Sequence, residues 1–414
     1  MRMLLARRPV RRLVTRIVRS ALERRIRRMP VSNLEIWLLA FPTPGRVSAI
    51  AQMAESVGWD GLLLADSQNL SGDPYSALCL AAEVTKRLRL GTGVTNPVTR
   101  HPAVTASAIC TVHVESGGRA VLGIGRGDSS LAYLGQEPAP LRQFEQYIKG
   151  LQGYLLGKVV DLDGYPSRNE WIASTGLPKV PVDVAATGPR TIALGARLAE
   201  RVTFAVGADP ERLRWAIDIA RQARVDAGLD PNDLSLGAYI NAVAHPDIRV
   251  ARDLARGGLA SFAHFSGMRG HPLDQVKPED RTIFEQLGQS YDMANHGKRS
   301  AKHTQVLDDA FVDRFGIVGP SQGCIKRLTE LLELGLDRLV IVCGSRDAPI
   351  FELARAYSRF ASEVSPALKA WRVRHQPGPS YEPIPAGPQQ PLLELSYRPV
   401  GIGSNLTASS LRRP

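Results

Sequence analysis

Eight short apolar runs recur along the middle of the chain, and most are followed by a stretch with helical spacing. They are "LEIWLLAF" at 34–41, "DGLLLAD" at 60–66, "LGTGV" at 90–94 and "RAVLGIG" at 119–125. The later four are "VPVDVAAT" at 180–187, "RVTFAVG" at 201–207, "LSLGAYINAVA" at 234–244 and "DRLVIVCG" at 337–344. Within each run hydrophobicity is continuous rather than alternating, the mark of parallel strands buried on both faces. Helices are predicted over about 46–57, 74–87, 102–115, 140–156, 188–200, 210–227 and 320–334. The count predicts an α/β fold, the closed (β/α)8 TIM barrel. A doubly wound open sheet is the competing architecture, but its glycine fingerprint should follow the first strand, and "AFPTPGR" does not supply it. Residues 257–314 offer no matching strand and are rich in Gly, His and charge, so they read as an insertion after strand 7, at the barrel mouth.

The third run ends oddly. Gly91 and Gly93 leave little to pack in a strand interior, and the chain then turns on Asn96-Pro97. Either the backbone approaches a ligand there or the strand carries a plain bulge.

Charge changes the picture only at the ends. The chain has 414 residues and a formal net charge of +12, but residues 1–28 hold eleven Arg and one Glu. Residues 372–414 contribute +3, which leaves 29–371 at −1 and removes the main support for nucleic-acid binding by the core. Residues 1–32 form an Arg-rich extension able to make a basic amphipathic helix. It reads as a membrane-surface anchor, a transit peptide, or sequence upstream of the real start. We take it as dispensable, with weak membrane-surface contact through 1–28 as the alternative. The barrel is assigned to 33–371, and the Pro/Gly-rich segment 372–414 to a disordered tail. The four cysteines are widely spaced with no CxxC pair, which suggests reduced thiols and a cytoplasmic setting. No metal-ligand spacing is present.

In a barrel of this kind chemistry gathers at the carboxyl ends of the strands. The candidates there are Asp66, Asn96, Gly125, Gly127, Asp128 and the stretch Thr187-Gly188-Pro189-Arg190. An isolated Asp at such a place serves equally well as a helix cap. In "AATGPRT", Pro189 suits a first helical turn whose free N–H groups, with Arg190 beside them, could cradle a phosphate; an ordinary capped helix start reads the same way. "GIGRGDS" has GxG spacing without GxGxxG and reads as a tight turn under a flat ligand.

The stretch "LGTGVTNPVTRHPAVTASAICTVHVESGGRAVLGIGRGDS", 90–129, resembles the bacterial-luciferase-like family. It is most similar to the branch containing the coenzyme F420-dependent methylenetetrahydromethanopterin reductases. The likeness runs over about 34–361, with "AATGP" and "GIVGPSQGCIKRLTELLELGLDRLVIV" in the expected order. It implies a barrel that binds coenzyme F420, or FMN as the alternative, at its mouth. It also implies a non-proline cis peptide at Gly93-Val94 against the back of the ring. The small residues at 91–93 would then let main chain form that wall, so that a bulky residue at Gly93 would project into the ring's place. Asp128 becomes the first candidate acid-base and Asp66 the second, with Gly93, Val94, Asn96, Gly125, Gly127, Thr187, Gly188, Pro189 and Arg190 around the cofactor. Two departures stand out. Some deazaflavin enzymes have Asp-His after the second strand where this chain has Asp66-Ser67, and related enzymes have a Glu where Asp128 stands.

The implied activity is hydride transfer between coenzyme F420 and a small organic substrate with a C=N bond or a carbonyl/alcohol pair. An FMN-dependent monooxygenase served by a partner reductase is the alternative. A non-catalytic flavin-binding or membrane-associated protein is the reading from another class. The resemblance further implies a homodimer.

Overall fold

A computed structural model of the chain describes residues 34–162, 164–267 and 276–375. The Arg-rich extension and residues 376–414 lie outside the described residues, so the expectations placed on them are not addressed.

Eight strands follow the predicted runs: β1 (Glu35–Ala40), β2 (Gly61–Leu64), β3 (Arg89–Thr92), β4 (Ala120–Ile124), β5 (Val182–Ala186), β6 (Arg201–Phe204), β7 (Ser235–Ala244) and β8 (Arg338–Val342). Each pairs in parallel with the next, and β8 pairs with β1, so the sheet closes into a barrel. Helices α1 (Val47–Ser56), α2 (Pro74–Val84), α3 (Pro102–Glu115), α4 (Leu141–Leu155), α5 (Pro189–Leu198) and α6 (Pro210–Asp226) follow the first six strands. Their boundaries are set by local chemistry. The Asp73 side chain accepts from Ser76 N ahead of Pro74, and Asp209 accepts from Glu211 N ahead of Pro210, which gives each helix a capped start with proline in its first turn.

After β7 the chain makes the inserted region with α7 (Ile248–Ser266), α8 (Pro278–Ser290) and α9 (Asp309–Phe315). The insertion therefore begins earlier than 257, because α7 runs through that point as one amphipathic helix. A short strand, Ile317–Gly319, pairs with Ala242–Ala244 of β7 before α10 (Ser321–Leu332) resumes the barrel pattern. A small hairpin, Val160–Asp161 with Pro166–Ser167, was not foreseen; at two residues a side its pattern is too short to register. The tail expected from 372 starts later, since the last helix continues to His375.

The barrel interior is filled in layers. At the amino end Arg338, 1% exposed, donates to Asp183 Oδ2 at 3.0 Å, to Thr203 Oγ1 at 2.9 Å and to Ser235 Oγ at 2.9 Å. Arg201 pairs with Glu35, which also accepts from Trp37 Nε1 at 3.0 Å. Above lie Trp37, Leu63, Val121, Tyr239 and Val340. Strands facing the large side chains are kept small. A Cβ on Gly61 would sit 2.3 Å from the Trp37 ring, and one on Gly237 would sit 2.9 Å from Arg338 Nε. Toward the carboxyl end the fillers shrink to Leu39, Val94, Ala185 and Ala205, and a cavity opens.

β3 stops at Thr92, two residues before the apolar run ends, and the Gly93-Val94 peptide is cis. Gly93 N donates to Leu64 O at 2.7 Å, and the chain then rejoins β4 through Thr95 N to Gly123 O at 3.0 Å and Gly125 N to Thr95 O at 2.9 Å. This is a bulge, and β4 makes room for it. A Cβ on Gly123 would lie 2.1 Å from Thr92 O, and one on Gly125 would lie 3.1 Å from Val94 Cγ2. One expectation is corrected here. A Cβ on Gly93 points at Leu39 Cδ1 (2.6 Å) and Leu63 Cβ (2.8 Å), into the barrel's packing rather than into the place of a ligand.

The tight layer makes a first prediction. Gly61→Ala should lower stability by about 1–3 kcal/mol, the usual cost of overpacking a filled interior. A urea midpoint unchanged from wild type would contradict the layer as described.

Candidate active site

The cavity at the carboxyl end of the barrel has a volume of about 250 Å³. Its floor is Leu39, Ala185, Ala205 and Tyr239, and one wall is main chain at Gly93-Val94 and Gly125. α7 also lines it, through Gly258, Ser261, Phe262 and Phe265, which fall at helical spacing on one face. Phe41, Val342 and Arg346 stand at the first and last strands' ends, with the Arg346 guanidinium 5.4 Å from the Phe41 ring centroid.

Of the sequence candidates, Asp66, Gly93, Val94, Gly125, Gly127, Asp128 and Thr187 line this cavity. Gly127 needs its glycine: φ is +89°, and a Cβ would meet Leu131 Cδ1 at 2.4 Å. Asp66 is 5% exposed, and its Oδ2 accepts from Thr95 Oγ1 at 2.7 Å and from Arg100. Arg100 in turn pairs with Asp73 at 2.9 Å and lies over the Tyr75 ring. Asp66 thus fastens the chain beyond the bulge to the end of β2 while still lining the cavity. Asn96 is 1% exposed and does not line the cavity. Its Oδ1 accepts from Val98 N (3.0 Å) and Thr99 N (3.1 Å), so it shapes the turn that the sequence assigned to cofactor contact.

Gly188 is the N-cap of α5 and Pro189 its first residue, as the sequence predicted. Neither they nor Arg190 line the cavity itself, but Thr187 and Thr191 on either side of them do. Arg190 lies close enough to Arg126, a lining residue, to depress its pKa further after burial has done so. Neither guanidinium forms an ion pair among the described residues, so two cations and a helix start meet with no anion between them.

Asp128 follows β4 at the head of a single helical turn, Ser129–Ala132, yet its side chain makes no capping bond. Its Oδ2 is buried without a partner. Loss of water, reinforced by the Glu137 carboxylate, pushes its pKa up to about 7. It is a carboxyl that can hold or release a proton near neutral pH, facing an apolar cavity.

Sequence reasoning missed Tyr239, the α7 wall, His296 and Arg346. The α7 residues carried a signal, an apolar and small stripe at 258, 261, 262 and 265, inside a segment read only as an insertion. His296 and Arg346 carried none.

The cis bulge at Gly93-Val94 thus lines an apolar cavity at the carboxyl end of the barrel. The chain belongs to the luciferase-like monooxygenase family. The family's sequence model matches residues 25–338. Among curated relatives, a 5,10-methylenetetrahydromethanopterin reductase of Methanolobus tindarius is 29% identical over 320 residues, 75% of this chain and 93% of that one. An F420-dependent glucose-6-phosphate dehydrogenase of Beutenbergia cavernae is 27% identical, covering 79% of this chain and 94% of that one. Among solved structures, the coenzyme F420-dependent tetrahydromethanopterin reductase of Methanopyrus kandleri superposes with a TM-score of 0.65. It is 22% identical and covers 81% of this chain and 99% of that one, which supports the luciferase-like barrel. Among the described residues no helix is long and apolar enough to cross a membrane.

Asp128 makes the prediction here. Its folded pKa of about 7 lies above the ordinary 3.8, so the native state keeps a proton that the unfolded chain releases between those values. Stability should therefore fall as pH rises through that window and level off above it. Asp128→Asn should remove the decline, matching wild type near pH 4 and exceeding it by a few kcal/mol, order of magnitude, above about pH 7. Parallel urea titrations at the two ends of the range check this; equal gains at both would contradict the desolvated carboxyl.

Proposed function

We propose that the protein is an F420-dependent oxidoreductase that moves a hydride to or from a small organic substrate. The observation that carries the reading is a cavity lined by the cis bulge at Gly93-Val94, by Gly125 and by Phe262 and Phe265. With glycine on one part of its lining and aromatic rings on another, the residues present fit a tricyclic ring. The anion site fits a phosphate, with Thr187, Gly188, Pro189 and Arg190 holding it and Arg126 adding a second positive charge. Coenzyme F420 carries a hydride at its C5 and does not activate oxygen.

The chain's own contribution is placement and proton handling. The bulge sets the ring's rear wall, which leaves the side toward α7 for substrate. Asp128, half-buried at that side, holds a proton below about pH 7 and takes one above it. Asp66 keeps the bulge in register through Thr95 and Arg100.

FMN-dependent oxygenation is the second reading, favoured by the family's description as monooxygenases. Fluorescence titration of the purified chain with F420 and with FMN separates the two, and tight binding of FMN alone would overturn the first. Arg190→Glu should weaken binding of the phosphate-bearing cofactor by about 1–3 kcal/mol, the worth of a charged hydrogen bond. It should leave affinity for the phosphate-free chromophore unchanged. Equal loss for both forms would place the phosphate elsewhere.

A further inference from the structure

His296 enters the cavity from the inserted region, with its ring 5.7 Å from Phe265 and only 6% of the residue exposed. Its Nδ1 lies 2.7 Å from Tyr291 Oη. Tyr291 Oη donates to Ser261 Oγ at 3.1 Å, and Ser261 Oγ donates to Gly257 O at 3.2 Å. Each hydroxyl has one proton to give. Ser261 spends its proton on a main-chain carbonyl, and Tyr291 spends its own on Ser261. The proton between Tyr291 and His296 therefore belongs to Nδ1, and the ring's lone pair sits on Nε2. Among the described residues Nε2 has no partner.

The chain of bonds stays in this state near neutral pH. Burial, helped by Arg346, His264 and His303, lowers the His296 pKa to about 3. Burial likewise raises the Tyr291 phenol well above its usual range, with Asp128 adding to the shift. That last effect also puts Asp128 within electrostatic range of the Tyr291 hydroxyl, the group bonded to His296.

We propose that His296 Nε2 accepts a hydrogen bond from the substrate's hydroxyl, so that the cavity is built for an alcohol without positive charge. This rests on the hydride-transfer reading above and narrows its substrate class. A bare imidazole nitrogen in an apolar wall recognises an O–H and gains nothing from a C=N cation. Arg126 and Arg346 line the same cavity and disfavour a cation further. Asp128, while protonated, offers a donor to the oxygen whose own proton His296 accepts. Phe41, Phe262, Phe265 and Val342 suit the hydrocarbon part.

The test uses the full chain labelled with 15N-histidine, with His296→Gln assigning the resonance. At pH 7 the His296 ring should show a protonated Nδ1 and a bare Nε2. Cyclohexanol should shift the Nε2 signal as a hydrogen bond forms, whereas cyclohexyl methyl ether, which lacks the proton, should not. Tyr291→Phe should mix the two tautomers. His296→Phe should keep cofactor affinity and weaken cyclohexanol binding by roughly 10-fold, one net hydrogen bond. A protonated Nε2 in the native chain, or equal response to alcohol and ether, overturns the proposal. Failure to bind F420 would sink the hydride-transfer reading instead, since the tautomer and the alcohol shift are read on the chain alone.

Discussion

A closed barrel of eight parallel strands must be filled from the inside, and in this chain one buried guanidinium determines how. Arg338 is held by Asp183 of β5, Thr203 of β6 and Ser235 of β7. A buried ion pair adds little stability against an apolar filling, but its geometry leaves few alternatives for strand register. Slipping any of those strands by one residue would turn its partner outward and leave the charge unanswered. With Trp37, Glu35 and Arg201 in the same half, the amino end of the barrel is solid. The carboxyl half is filled by Leu39, Val94, Ala185, Ala205 and main chain, and the cavity is what remains. The site's location follows from that gradient in side-chain size.

The bulge after β3 depends on the same economy of volume. Gly123 in β4 and Gly125 just beyond it leave room for it, and Asp66 with Arg100 ties its far side to the end of β2. One backbone feature therefore sets the cavity's flat wall and also where β4 releases the chain into Arg126-Gly127-Asp128. Because the wall is apolar, the carboxyl at its rim loses water, and its proton affinity rises to the range useful at neutral pH. The same packing that would seat a flat ring thus tunes the acid beside it.

Much of this was legible in the sequence because period and composition carry it. Continuous apolar runs located all eight strands, and Pro102–Glu115 was placed to the residue because His101-Pro102 and Gly117-Gly118 bracket it. Gly93 and Gly125 were recognised as special, and both line the cavity, but the direction in which a Cβ on Gly93 would point was not foreseen. Whether a glycine faces a ligand or a neighbouring strand is a tertiary fact, absent from local pattern. Asn96 carries a related ambiguity, since an Asx turn, which it makes, and a polar contact to a ligand call for the same residue. His296 was invisible: it lies outside any strand or helix-start signal, and its role depends on Tyr291 and Ser261 being brought beside it.

The departures from the family pattern bear on each other. Where some deazaflavin enzymes have a histidine after the second strand, this chain has Ser67, which lines the cavity but brings no imidazole. The inserted region supplies one from a different element, bonded through two hydroxyls to a carbonyl. Bringing the imidazole from the insertion changes what the mouth can recognise. A histidine on the short second-strand loop is held by the barrel itself, whereas His296 is held by α7 and the segment packed on it. Tyr291 is clamped between the rings of His264 and His303, with centroids 3.9 and 4.3 Å away. The tautomer at the cavity is therefore as secure as that stack, and substrate recognition in this chain is coupled to the packing of its insertion rather than to the barrel alone.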